Sequence, residues 1–198
     1  MAARIWVGGD LVMGEVAEAS VSRCSQEAPS SDNVRGIVMS RNRTNASAEQ
    51  RLLALDIDLP RAPVPLGAYV EAIQTGNLLF LSGTLPVEGG IPKFLGRIGG
   101  ELSVDEGRRA ARLAAINALA LVKEHLGSLD RVARVVRLGV SLATTSEFRE
   151  HPKVADAASD LLVGVFGADK SSTRLVLGAA SLPLGACVVL ESIFEITD

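Results

Sequence analysis

The chain is poor in the residues that build metal centres, disulfide frameworks and aromatic cores. Its 198 residues include two cysteines and two histidines. Cys24 and Cys187 lie far apart in different kinds of segment, which excludes a disulfide framework and makes a reducing compartment the default. His125 and His151 are not at metal-ligand spacing and no Cys/His cluster exists, so no metal is expected. No cofactor is expected either. Gly8-Gly9, Gly89-Gly90 and Gly99-Gly100 lack the Gly-Lys-Ser/Thr and the strand–glycine–helix setting of a phosphate loop. Aromatic residues make up 4% of the chain, with one Trp and one Tyr, so the core has to be built from Leu, Val, Ile and Ala. The net charge of −3 gives no broad basic field. The small clusters Arg108, Arg109, Arg112 and Arg131, Arg134, Arg137 read as solvated faces, and tight sequence-independent nucleic-acid binding is not expected. No apolar run reaches the roughly 18 residues a membrane helix needs. The N-terminus lacks a basic lead followed by an apolar stretch, and it carries Asp10, Glu15, Glu18, Glu27 and Asp32. Neither a secretory signal nor a transit peptide is expected, and the cytoplasm is the expected location.

What remains is an ordinary globular composition, 47% hydrophobic and 22% charged, at a length for one domain with an appendage. Residues 1–44 differ from the rest. Ile5 to Asp10 reads as a strand and turn, and Gln26 to Asn33 as a linker of loop formers. The expectation is a poorly ordered N-terminal extension over 1–44, added by an upstream start codon, and a folded domain over 45–198. Protease resistance beginning near Met39 goes with it. Trp6 reads as a stray apolar residue of that tail.

Ser47 to Leu55 predicts a short helix with Leu52, Leu53 and Leu55 as its apolar side. Pro60, Pro63 and Pro65 then impose an extended approach. Tyr69–Ile73 and Leu78–Ser82 predict two strands joined by a hairpin-like turn at Thr75-Gly76-Asn77. Pro86 to Gly100 reads as irregular. Ser103 opens the best helix, with the capping box Ser103-Val104-Asp105-Glu106, an apolar stripe of Ala110, Leu113, Ile116 and Ala120, and Gly127 as its C-terminal cap. Asp130–Ala143 predicts a strand and Pro152–Phe166 a second amphipathic helix. Arg174–Ala180 and Ala186–Ile196 predict two closing strands. This order gives an α+β layer: one mostly antiparallel sheet with two main helices on one face. The strands are apolar on both alternating sets, which argues for burial on both faces. Self-association is the simplest cover for the face without helices.

Arg174 is the most informative residue. It opens an otherwise apolar β-segment, where a guanidinium is costly to bury unless an anion meets it. Arg grips a carboxylate in a planar two-pronged bond that Lys cannot make. The alternatives are a surface Arg on an edge strand and a structural ion pair. Upstream stand Gly67-Ala68-Tyr69-Val70-Glu71-Ala72-Ile73 and Gly76-Asn77-Leu78-Leu79-Phe80-Leu81-Ser82-Gly83-Thr84-Leu85-Pro86. Downstream, Leu182-Pro183 follow Arg174 by eight and nine residues. In this order and spacing the segments resemble the Rid family, the reactive intermediate deaminases also called the YjgF family. The resemblance runs from about residue 45 to the end and is closest to the longer subgroup with a helical lead-in.

That resemblance implies a chorismate-mutase-like fold and a homotrimer with pockets between subunits. It implies that Arg174 binds the carboxylate of a 2-imino acid, that Tyr69 lines the same pocket, and that Ser82 and Gly83 contribute hydroxyl and backbone groups. Arg174, Tyr69 and Ser82 are thus the candidate catalytic residues, and Gly83 and Glu191 join them as candidate substrate contacts. Two positions depart from the family pattern. Val189 stands where deaminases carry the Glu that positions or activates water, and Glu191 lies two residues on, about 6–7 Å along the strand. Val176 stands where a Cys is common. Losing a general acid/base typically costs about 10²–10⁴ in rate.

Three functions follow as alternatives. The first is a deaminase that hydrolyses enamine or imine products of amino-acid metabolism to a 2-keto acid and ammonia. The second is a non-catalytic module of the same fold that binds a small carboxylate. The third, the weakest, is the L-PSP-like endoribonuclease or translation-inhibitor activity given to some family members. Among other candidates, Asn117 reads as structural, His125 as complementing a helix dipole, and Ser171-Ser172-Thr173 as a polar loop.

Overall fold

In the computed structural model the described residues are 6–7, 10–11, 46–65 and 67–197. The chain divides into two compact units, Met1–Met39 and Ser40–Asp198. In the first, Trp6–Val7 pair antiparallel with Asp10–Leu11. The linker expected at 26–33, Cys24 and nearly all of the extension expected over 1–44 lie outside the described residues.

In the second unit five strands form the main sheet. They are β1 (Ala72–Thr75), β2 (Leu78–Thr84), β3 (Val132–Ala143), β4 (Thr173–Ala179) and β5 (Val188–Ile196), in the order β1–β2–β5–β3–β4. All neighbours are antiparallel except β3 and β4. Three helices accompany them: α1 (Ala48–Ala54), α2 (Val104–Leu126) and α3 (His151–Phe166). The parallel β3–β4 pair needs a crossover, and α3 supplies it. α2 and α3 pack on each other and on one face of the sheet, which is the α+β arrangement read from the sequence. None of the described helices is long and apolar enough to cross a membrane.

The capping box predicted at Ser103 forms, and α1 carries a second one that was not picked out in the sequence. Ser103 Oγ accepts the Glu106 N–H at 3.2 Å, while the Glu106 carboxylate accepts the Ser103 N–H at 2.8 Å. Ser47 and Gln50 make the same exchange at the start of α1. Gly127 closes α2 in the left-handed region, at φ 80. The buried stripe of α2 differs from the expected one. Leu113 and Ile116 are only half-buried, and the face turned to the core is Ala110, Ala111, Ala114, Ala115, Ala118, Leu119 and Val122. Small side chains allow a close approach, and the larger ones flank the contact. At Gly107 the approach leaves no room for a side chain: a Cβ there would lie 2.7 Å from Ile98 Cδ1. In α1 only Leu52 is buried, while Leu53 is 75% exposed. A seven-residue helix turns a single narrow face to the core.

The first strand begins later than Tyr69. Ala72 pairs with Leu81, and then β2 bulges, its register to β5 shifting between Leu81 and Thr84. The bulge at Ser82-Gly83 ends the regular ladder, so Tyr69–Glu71 peel away from it. Ser82 still ties that segment to β2, its N–H donating to the Glu71 carbonyl at 2.8 Å and its hydroxyl to the Val70 carbonyl at 2.6 Å. At the other end Thr75 pairs with Leu78 around Gly76-Asn77, with Gly76 at φ 56. The expected irregular stretch after Pro86 contains a small hairpin, Val87–Glu88 with Ile91–Pro92.

The helix-side face of the sheet buries Leu79, Leu81, Leu138, Val140, Leu190 and Phe194. The opposite face carries Ile73, Phe80, Leu175, Leu177, Val189 and Ile193, and Ile73, Leu175 and Leu177 are exposed.

Candidate functional site

The β2 bulge and the peeled segment before β1 make a cavity of about 120 Å³ at the β1–β2 edge of the sheet. Tyr69, Glu71, Ser82, Gly83 and Leu85 line it, with Leu121 of α2 behind. Three of the residues singled out in the sequence are therefore together. Tyr69 is 48% exposed. The Ser82 hydroxyl donates to the Val70 carbonyl at 2.6 Å, which fixes Ser82 and leaves its oxygen able to accept. Asn117, read from the sequence as structural, stands beside this cavity. It is 1% exposed, and its Nδ2 donates to the carbonyls of Leu85 and Val87, both at 2.9 Å. It thus holds the loop that forms one wall. Among the described residues no basic side chain lines this cavity, and its ionisable groups are Tyr69 and Glu71.

Arg174 lies elsewhere. It stands in β4, the opposite edge of the sheet, opposite buried Leu138 of β3. Between β2 and β4 are three strand spacings, about 14 Å. The Arg174 side chain points to the helix side. Its Nη1 donates to Asp156 Oδ1 at 2.7 Å and to Ser159 Oγ at 3.1 Å, both on α3. The side chain keeps 28% of its surface exposed and borders a second cavity of about 190 Å³ with Ser159, Leu162, Lys170 and Ser172. The neighbouring hydroxyls serve the backbone: Ser171 donates to the Ala168 carbonyl at 2.7 Å and Thr173 to the Val136 carbonyl at 2.8 Å. Asp156 and Ser159 were not picked out in the sequence. Their spacing puts them on one face of α3, but nothing local ties that face to Arg174.

Val189 and Glu191 alternate with the buried residues of β5 and so project from the face away from the helices. Val189 leans on the bulge: a Cβ on Gly83 would come within 2.9 Å of Val189 Cγ1. Glu191 lies over Gly139 of β3, where a Cβ would meet its Oε2 at 3.1 Å, and it does not line the Tyr69 cavity. Val176, two residues after Arg174, packs against the core. Cys187 is buried, and that burial pushes its thiol up to about 11, so it is no nucleophile near neutral pH. His151 contacts Thr144 Oγ1 at 3.4 Å and the Phe148 ring edge-on. His125 is exposed at the end of α2.

Residues 49–195 match a family model described as YjgF/chorismate mutase-like, to which an endoribonuclease name is provisionally attached. Protein TCP17 of Trypanosoma cruzi is 38% identical over 148 residues, which is 74% of this chain and 92% of that one. A Dermatophagoides farinae protein named 2-iminobutanoate/2-iminopropanoate deaminase is 29% identical over 140 residues, covering 71% of this chain and 94% of its own. A crystal structure from Shewanella oneidensis, provisionally named an endoribonuclease, is similar at a TM-score of 0.73 and 33% identity, covering 76% of this chain and 100% of that one.

Proposed function

The chain belongs to the YjgF/chorismate mutase-like family, and from that premise we propose that it is a 2-imino acid deaminase whose site is completed between the subunits of a homotrimer. The observation that carries this reading is the division of candidate groups between the two edges of one sheet. Among the described residues, the cavity with Tyr69, Ser82 and Gly83 has no cation to receive a carboxylate. Arg174 sits at the far edge, and its Nε and Nη2 hydrogens make no bond among the described residues. When one edge of a subunit docks beside the opposite edge of the next, each cavity gains an arginine. Such a contact uses two different patches, and a rotation that closes gives a ring. The same association covers Ile73, Leu175 and Leu177, which a lone chain leaves exposed.

In this reading the substrate carboxylate takes the two-pronged bond of Arg174. Water then adds to the C=N carbon; the new C–O bond forms as the π pair moves to nitrogen, which takes a proton. The carbinolamine expels ammonia and leaves the 2-keto acid. Tyr69, Ser82 and the backbone at Gly83 orient the imine and the water. The reaction printed in the name of the Dermatophagoides relative supports this chemistry. Val189 favours a second reading, a module that binds the carboxylate without turning it over, because an aliphatic side chain covers Gly83 where deaminases place an acid.

The test is imine hydrolysis, with a PLP-dependent dehydratase generating the imine in situ and semicarbazide competing for it. Wild type is expected to accelerate ammonia release and Arg174→Ala to lose that acceleration. No acceleration, together with Arg174-dependent binding of 2-oxobutanoate, leaves the binding module. Neither effect ends both readings.

A further inference from the structure

We propose that Asp156 and Ser159 are positioning residues for Arg174, setting which edge of its guanidinium meets a carboxylate; the proposal rests on the reading of Arg174 as the carboxylate anchor. Both contacts fall on one nitrogen. Nη1 has two hydrogens, and it donates to Asp156 Oδ1 at 2.7 Å and to Ser159 Oγ at 3.1 Å. Nη1 is the nitrogen on the Cδ side of the fork. With both of its hydrogens engaged, the edge formed by Nε–H and Nη2–H is the one left for a ligand, and that edge matches the spacing of two carboxylate oxygens.

The anchors are themselves rigid. Asp156 and Ser159 are one turn apart on α3, and Val154, Ala155, Ala158, Leu161 and Leu162 bury that helix against the core. An arginine on an edge strand would otherwise sample many rotamers, all but a few of them misdirected. Asp156 also lends Arg174 a counter-charge at the edge of the sheet. A second acid on the ligand would be repelled there, so the arrangement selects monocarboxylates over dicarboxylates.

The experiment is calorimetric titration of 2-oxobutanoate into the intact protein, wild type beside Arg174→Ala, Asp156→Ala, Asp156→Asn and Ser159→Ala. Thermal melting and oligomeric state serve as controls. Arg174→Ala is expected to abolish binding. Asp156→Ala is expected to weaken it about ten-fold, because an unheld guanidinium must lose its rotamer freedom on binding. Ser159→Ala is expected to weaken it a few-fold, about two- to five-fold. Asp156→Asn keeps an acceptor for Nη1 and is expected to restore affinity to within about two-fold of wild type. Wild-type affinity in Asp156→Ala and Ser159→Ala, with loss in Arg174→Ala, overturns the positioning role alone. Asp156→Asn as weak as Asp156→Ala also overturns it, since charge and not direction would then be at work. Full affinity in Arg174→Ala overturns the anchor reading and this inference with it. Should Asp156→Ala fail to fold, Ser159→Ala and Asp156→Asn decide by the same outcomes.

Discussion

Val189 is where a single residue tests the chemistry most directly. Its Cγ1 lies 2.9 Å from where a Gly83 Cβ would be, so a carboxylate in its place would sit against the bulge that shapes the Tyr69 cavity. Val189→Glu is expected to raise the rate of ammonia release by about ten-fold or more, since a positioned general acid/base is typically worth 10²–10⁴. Adding Arg174→Ala to that variant is expected to remove the gain. An unchanged rate in Val189→Glu, with the protein folded, would mean that water is not delivered from this strand. Residue identity alone drew attention to Arg174, a guanidinium in an apolar strand, whereas Val189 was marked only by the family resemblance, which expects an acid there. Asp156 was not legible: it meets Arg174 across 18 residues and two elements, and helical periodicity gives no reason to link that face to β4.

Asn117 joins one element to another, and its removal is an element-scale experiment. Helix α2 would pack equally well with an alanine there, yet the buried amide donates to two carbonyls of the loop after β2. Asn117→Ala removes one bond from each of the Leu85 and Val87 carbonyls, of which Leu85 keeps the Val87 N–H at 2.9 Å, at about 1–3 kcal/mol for a buried acceptor so orphaned. Because Leu85 and Val87 line the cavity, the same variant is expected to weaken 2-oxobutanoate binding while lowering the melting temperature by several degrees, on the order of 2–4 °C per kcal/mol. A lower melting temperature with unchanged affinity would confine Asn117 to stability. At this scale the sequence was read well where the signal is local. The Ser103–Glu106 box and the Gly127 cap need only neighbouring residues. It was read less well where pairing decides. Tyr69–Glu71 have strand-like composition, but the bulge of β2, fixed by its register to β5, takes them out of the ladder. The alanine face of α2 was likewise missed, because helix contact rewards small side chains where a hydrophobicity scale rewards Leu113 and Ile116.

At the scale of the whole molecule, the decisive question is whether the proposed site belongs to one chain or to two. The sheet places Tyr69 beside one edge strand and Arg174 on the other, in the spatial order β1–β2–β5–β3–β4. Folding of a single chain cannot bring these edges together, because the intervening strands are hydrogen-bonded throughout. In the proposed ring, Arg174→Ala spoils one side of every site and Tyr69→Ala the other, so each variant alone is expected to be inactive. Tyr69 is 48% exposed, so its truncation leaves the core intact. Co-expressed in equal amounts, the two variants assemble at random. In a mixed ring of three, a single one of the three contacts joins an intact Tyr69 edge to an intact Arg174 edge, so about a third of wild-type imine hydrolysis is expected to return. The mixed species are isolated through two different affinity tags before the assay, which removes the homogeneous oligomers. If activity stays absent in rings proven to contain both variants, each site must draw its arginine and its tyrosine from the same chain, and the division of the site between two edges loses its meaning. Recovery near a third would fix the ring as the working unit, because no arrangement of sites confined to single chains can return activity from two inactive partners.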